Sequence, residues 1–139
     1  MSGAVVLDCS VAMAWCFPDE STPATNSLLK TLEHETAVVP GLWFLEVANV
    51  LSLAEKRKRL TPTKSAEFLK FLSAFELEVD HEAASRAFDY VLPLCRAHGL
   101  TAYDATYLEL ALRRRLPLAT LDGDLRAGAR ALGVALLGR

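Results

Sequence analysis

The sequence predicts an α/β fold, a three-layer α/β/α sandwich around a mostly parallel central sheet. Short, apolar, largely β-branched runs recur at Ala4 to Leu7, at Ala37 to Val39 and at Leu118 to Leu121. Runs so short and so uniformly apolar suit strands covered on both faces. Longer amphipathic stretches separate them, as parallel strands require, because each must be joined to the next by a right-handed crossover. With 139 residues, 52% of them hydrophobic, the chain has enough apolar material for one well-filled domain over residues 1–139. No linker, repeat or low-complexity tract divides it.

Taken in order, Asp8 ends the first strand and Ser10 opens a short helix that Pro18 stops. Helix resumes from Ser21, with Pro23 near its first turn and Leu28, Leu29 and Leu32 at helical spacing. After the second strand, Pro40 and Gly41 break the chain, and a long helix runs from about Leu42 to Arg59. Thr61 and Pro62 open a further helix through about Ala74 by the N-cap and first-position proline pattern. Phe75, Leu77 and Val79 alternate with Glu76, Glu78 and Asp80, the period of a half-exposed edge strand. Glu82 to Ala97 reads as helix with a kink at Pro93, ended by Gly99 after His98. Thr101 then caps an amphipathic helix with Asp104 in its first turn. The strand at Leu118 to Leu121 runs into a turn at Asp122, and the last helix, Leu125 to Leu132, is capped by Gly133. Val134 to Leu137 closes the sheet as an edge strand.

Composition narrows the function classes. No apolar run reaches the roughly 18 residues of a membrane span. The N-terminal apolar stretch is interrupted by Asp8 and lacks a basic leader, so a soluble, cytoplasmic chain is expected, without membrane partners. Cys9, Cys16 and Cys95 are odd in number and have no paired spacing, which favours buried free thiols over a disulfide framework or a zinc site. His34, His81 and His98 are scattered. A net charge of −2 provides no global basic field, so any case for nucleic-acid binding rests on a local site.

That site is acidic. In a parallel sheet Asp8 and Asp122 lie at the carboxyl ends of their strands, on the edge where open α/β folds bind ligands. The helix openings that carry Glu46 and Asp104 reach the same edge. Four carboxylates close together raise one another's pKa unless something positive intervenes. A hard divalent cation with oxygen ligands, Mg²⁺ or Mn²⁺, resolves that conflict where no His or Cys cluster exists. Such a metal acidifies a bound water and neutralises charge developing on a phosphate, so phosphodiester hydrolysis is the reaction that fits. Ser10, Asn49 and Thr120 are placed to support the acids, Thr120 by orienting Asp122 from the same strand face.

The motifs VVLDCS, LEVANVL, LTAYDATYLELAL and LATLDGDL occur in an order and spacing that resemble the PIN domain family, and most closely the VapC-like toxins of VapBC toxin–antitoxin modules. The resemblance spans nearly the whole chain. It implies a PIN-like fold and a Mg²⁺- or Mn²⁺-dependent endoribonuclease with Asp8, Glu46, Asp104 and Asp122 as both catalytic and metal-binding residues. It also implies an RNA substrate, a cognate antitoxin that blocks the site, and a homodimer. Asp122 matches the last acid of the pattern better than Asp124, which either contributes or caps the following helix.

Each acid also has a structural explanation. Asp104 pairs with Thr101 in a capping-box-like arrangement, Asp122 and Asp124 suit a turn, and Asp8 can cap the helix after it. Glu46, lone in an apolar helix, is the hardest to explain so. A non-catalytic PIN-like module binding RNA or protein is the alternative. A phospho-acceptor or phosphatase domain fits less well, because no second aspartate follows Asp8 by two residues. The basic runs Lys56 to Arg59 and Arg113 to Arg115 sit at helix carboxyl ends, expected toward the edge opposite the acids as a solvated face. Arg126 and Arg130 begin nearer the acids and are the better phosphate candidates. Trp15, Phe17, Trp43 and Phe44 are expected in the core, near enough to the acidic edge to leave room for a partner groove.

Overall fold

The computed structural model describes residues 3–139. Five parallel strands form one sheet in the order β3–β2–β1–β4–β5. The central strand β1 (Ala4–Leu7) pairs on one side with β2 (Thr36–Pro40) and on the other with β4 (Leu118–Ala119). The edges are β3 (Leu77–Asp80) and β5 (Leu136–Leu137). Side chains of β1, β2 and β4 are buried on both faces, which explains why their runs are continuous rather than alternating.

The chain moves outward through β2 and β3, then crosses back over β1 to β4 and β5. Right-handed crossovers therefore put α1 (Cys9–Cys16), α2 (Pro23–Thr31), α3 (Leu42–Lys56) and α4 (Pro62–Leu72) on one face. The other face takes α5 (Ala83–Arg86), α6 (Leu92–His98), α7 (Ala102–Arg114) and α8 (Gly123–Ala131). Contacts segregate in the same way, α1 packing on α2 and α3, and α7 on α6 and α8. The strand order reverses between β1 and β4, and the carboxyl ends of those two strands make the crevice where such sheets bind ligands.

Several boundaries differ from the sequence reading for local physical reasons. The helix expected over Glu82 to Ala97 is interrupted by a π-helical turn, Ala87–Val91, in which the Leu92 N–H donates to the Ala87 carbonyl. Pro93 has no N–H and its ring opposes the carbonyl four residues back, so the helix takes a wider turn just before it. Strand β3 starts at Leu77 because Phe75 is drawn into an aromatic cluster, its ring centroid 5.4 Å from Trp15 and 5.3 Å from Phe71. A 3₁₀ turn at Pro18–Glu20 links α1 to α2. Helix α8 begins two residues early, because Asp122 caps it. Trp43 and Phe17 are buried, whereas Phe44 is 43% exposed. The three cysteines are free thiols. Among the described residues, no helix is long and apolar enough to cross a membrane.

Candidate active site

Asp8 is the first residue past β1 and stands at the start of α1, yet its carboxylate makes no capping bond to that helix. Its partners come from elsewhere. The register that sets Leu7 against Ala119 places the next two residues, Asp8 and Thr120, side by side. Asp8 Oδ2 accepts from the Thr120 hydroxyl at 2.7 Å and from the Ser10 hydroxyl at 2.6 Å. Each hydroxyl also accepts a backbone amide, Ser10 that of Leu121 and Thr120 that of Asp122. A closed hydrogen-bonded circuit thus ties the end of β1 to the turn after β4. Among the described residues, no side chain donates to Asp8 Oδ1. Thr120 was expected to orient Asp122; it orients Asp8 instead and meets only the amide of Asp122.

The other acids arrive on different elements. Asp122 caps α8, its Oδ1 accepting the Leu125 amide at 2.8 Å. Asp104 stands in the first turn of α7, where its amide donates to Thr101 at 3.1 Å. Glu46, on α3, accepts from the hydroxyl of the fully buried Tyr107 at 2.5 Å. Asp8, Glu46, Asp104 and Asp122 line one cleft of 510 Å³ together with Cys9, Ser10, Asn49 and Arg59. Asn49 makes no side-chain hydrogen bond among the described residues. Asp124 is exposed in the first turn of α8, outside the cleft lining.

The carboxyl groups lie within one another's fields. Burial, reinforced by Asp8 and Asp104, pushes Glu46 up to about 7. Asp104 is pushed up to about 6 by burial and then by Asp122 and Asp8. Asp8 is raised chiefly by burial, against the hydrogen bonds from Ser10 and Thr120. The Cys9 thiol, pushed up to about 12 by burial and by Glu46 and Asp8, stays protonated and is no nucleophile. Burial likewise raises the Tyr107 phenol, so it acts as a hydrogen-bond donor.

The sequence matches the PIN domain family profile over residues 5–131. The chain belongs to the PIN domain family. Solved structures with a similar fold include PAE2754 from Pyrobaculum aerophilum, 25% identical, with a TM-score of 0.70 over 98% of this chain and 92% of that one. VapBC2 from Rickettsia felis bound to a DNA fragment from their promoter is 14% identical, with a TM-score of 0.66 over 96% of both chains. FitAcB from Neisseria gonorrhoeae is 19% identical, with a TM-score of 0.64 over 95% of both. The last two likenesses are in fold alone. None of the curated proteins compared with this chain matches it.

For this PIN domain the fit of a divalent cation rests on donor chemistry. All four groups are carboxylates, one keeps an oxygen clear of side-chain donors, and three are raised chiefly by burial and further by the neighbouring acids. Hard oxygen donors of this kind suit Mg²⁺ or Mn²⁺. The acids surround the cleft without forming a ready-made cage: among the described residues, no three His, Cys, Asp or Glu side chains cluster as a metal site.

The basic residues depart furthest from expectation. Helix α3 packs on α1 and carries its carboxyl end to the 3₁₀ turn, so Arg59 lines the acidic cleft instead of facing the opposite edge. The carboxyl end of α7 reaches the residues of β3. Arg113 there is mostly buried, bidentate to Asp80 at 2.9 Å and bonded to Glu109 at 3.0 Å, while Arg114 pairs with Glu78. Arg113 is therefore part of a structural ion network, whereas Arg114 and Arg115 remain exposed, as a solvated face requires. Arg126 is buried and donates to the carbonyls of Thr120 and Leu137 at 2.7 and 3.0 Å. It ties down the ends of β4 and β5 and is not available to a phosphate, whereas Arg130 stays exposed. Among the described residues, no histidine lines the cleft. Tyr107 was missed by the sequence reading, although a tyrosine on a buried helix face needs an acceptor for its hydroxyl, and Glu46 needed a donor.

Proposed function

We propose that this PIN domain is a Mg²⁺- or Mn²⁺-dependent endoribonuclease, the toxin of a toxin–antitoxin pair. The observation that carries the reading is the meeting of four carboxylates, from the end of β1, from α3, from α7 and from the turn after β4, in one cleft at the switch point of the sheet. Asp8, Glu46, Asp104 and Asp122 would hold the cation. When bound, it supplies an acidified water and neutralises charge developing on a phosphate. The chain supplies rigidity: Ser10 and Thr120 fix Asp8, Tyr107 fixes Glu46, and the Leu125 amide of α8 fixes Asp122, so carboxylates of like charge are held together before any substrate arrives.

Two of the similar structures support a protein partner, being a VapBC2 assembly and a toxin–antitoxin complex from Klebsiella pneumoniae, the latter 18% identical with a TM-score of 0.55. A 340 Å³ apolar groove lined by Trp43, Phe44, Val47, Leu51, Leu69 and Leu77 agrees with contact to a cognate antitoxin or to a second subunit of a homodimer. The test is RNA cleavage. Activity should require Mg²⁺ or Mn²⁺, stop with chelator, and vanish in Asp8→Asn and Asp104→Asn variants that keep the parent's circular dichroism. Undiminished cleavage in both variants would refute the assignment.

A further inference from the structure

Arg59 is the one cationic side chain among the described residues that line the acidic cleft. Its place there is built. Lys58, just past the end of α3, takes the left-handed conformation, φ 59°, and two amides close the helix: Arg59 N–H donates to Ala54 at 2.8 Å and Lys58 N–H to Glu55 at 3.0 Å. That turn aims Arg59 toward the 3₁₀ segment. Its guanidinium carbon lies 3.9 Å from the centroid of the buried Phe17 ring. A single nitrogen, Nη2, makes all the ion-pair contacts, to Asp19 at 2.8 and 2.9 Å and to Glu20 at 3.0 Å. The Nε and Nη1 donors have no partner among the described residues. A guanidinium stacked on one face and anchored at one corner, with its other edge open, is pre-organised to grip a phosphate.

Resting on the nuclease reading above, we infer that Arg59 binds an RNA phosphate flanking the scissile one, so that the cleft holds the strand at two points. A polyanion entering a cleft lined by Glu20 as well as by the four grouped acids meets repulsion that a cation at those four relieves only locally. The next phosphate needs its own positive partner, and the cleft offers one. An acidic protein segment would find the same guanidinium but would have no use for the adjoining carboxylates.

The experiment measures anisotropy of a short fluorescein-labelled single-stranded RNA of randomised sequence, with Mg²⁺, over a KCl series. It uses the full chain in an Asp8→Asn background to prevent cleavage. Arg59→Ala, and Arg59→Gln, which keeps a stem over Phe17, should each weaken binding about tenfold. Each should also flatten the salt dependence by about 0.7 in log–log slope, the share of one phosphate on a single strand. The Asp19→Asn/Glu20→Gln double variant breaks the same ion pairs but keeps the guanidinium, and it should bind RNA at least as tightly as the parent. Equal affinity and slope in parent and Arg59 variants would overturn the inference, as would equal loss in the double variant, which would assign the effect to the ion pair. Cleavage by the chain with native Asp8, read in parallel, separates the two ideas: its absence refutes the nuclease reading, whereas its presence with Arg59-independent binding refutes only this one.

Discussion

Replacing Glu46 with glutamine removes a charge while keeping an acceptor for the Tyr107 hydroxyl, so the variant isolates the electrostatic cost of the cleft. In the folded chain this carboxyl titrates at about 7 against an ordinary 4.5, chiefly through burial and then through Asp8 and Asp104. A displacement of that size corresponds to about 3 kcal/mol at 1.36 kcal/mol per pK unit. Because Glu46 is only half-buried, solvent screening reduces this to about 1–2 kcal/mol. The sign follows from proton binding. Between pH 4.5 and 7 the native state holds a proton that the unfolded chain has lost, so the parent loses stability as pH rises through that window. Glutamine does not titrate. In chelator, Glu46→Gln should therefore match the parent near pH 4 and exceed it by about 1–2 kcal/mol at pH 8, a rise of roughly 3–8 °C in thermal midpoint. Urea unfolding followed by circular dichroism at both pH values measures this directly. A variant less stable than the parent at pH 8, or a gain that ignores pH, would show that the cleft does not strain this carboxylate.

Tyr107→Phe should leave the fold intact and weaken Mn²⁺ binding by about 10- to 100-fold in calorimetric titration, because Glu46 loses the donor that holds it. Unchanged affinity would remove Tyr107 from the site. Arg113→Ala strips the ion-pair partner from buried Asp80 and leaves buried Glu109 with Arg86 alone, and should cost about 3–5 kcal/mol in urea unfolding, as broken buried ion networks do. A loss below about 1 kcal/mol, the level of an exposed ion pair, would contradict the network reading. Lys58→Gly should stabilise the chain by about 1 kcal/mol, because a side chain at φ 59° bears a steric cost that glycine lacks. No gain, or a loss, would show that the turn is held by more than its backbone.

Much of the architecture was legible because its causes act over a few residues. Thr61 and Thr101 each accept the amide three residues on, as their position before a helical stretch predicted, and Gly99 ends α6 in the left-handed conformation. The uniformly apolar runs became the central strands. The π-helical turn was half legible: Pro93 announced a disturbance, but whether a helix kinks or widens depends on what it packs against. The positions of the acids at strand ends and helix openings were readable for the same local reasons, since a parallel sheet sends all such points to one edge.

What the sequence by itself determined, then, is the order and kind of the elements and the edge toward which the acids lie, because periodicity, capping and turn chemistry are short-range. The tertiary structure alone decided which partners meet there. Tyr107 reaches Glu46 across 61 positions of chain and Thr120 reaches Asp8 across 112. Arg59 enters the cleft, while Arg113 and Arg126 are consumed in structural bonds. Those outcomes turn on strand register and on which neighbours α3 and α7 pack against, and that packing is decided only when distant side chains meet.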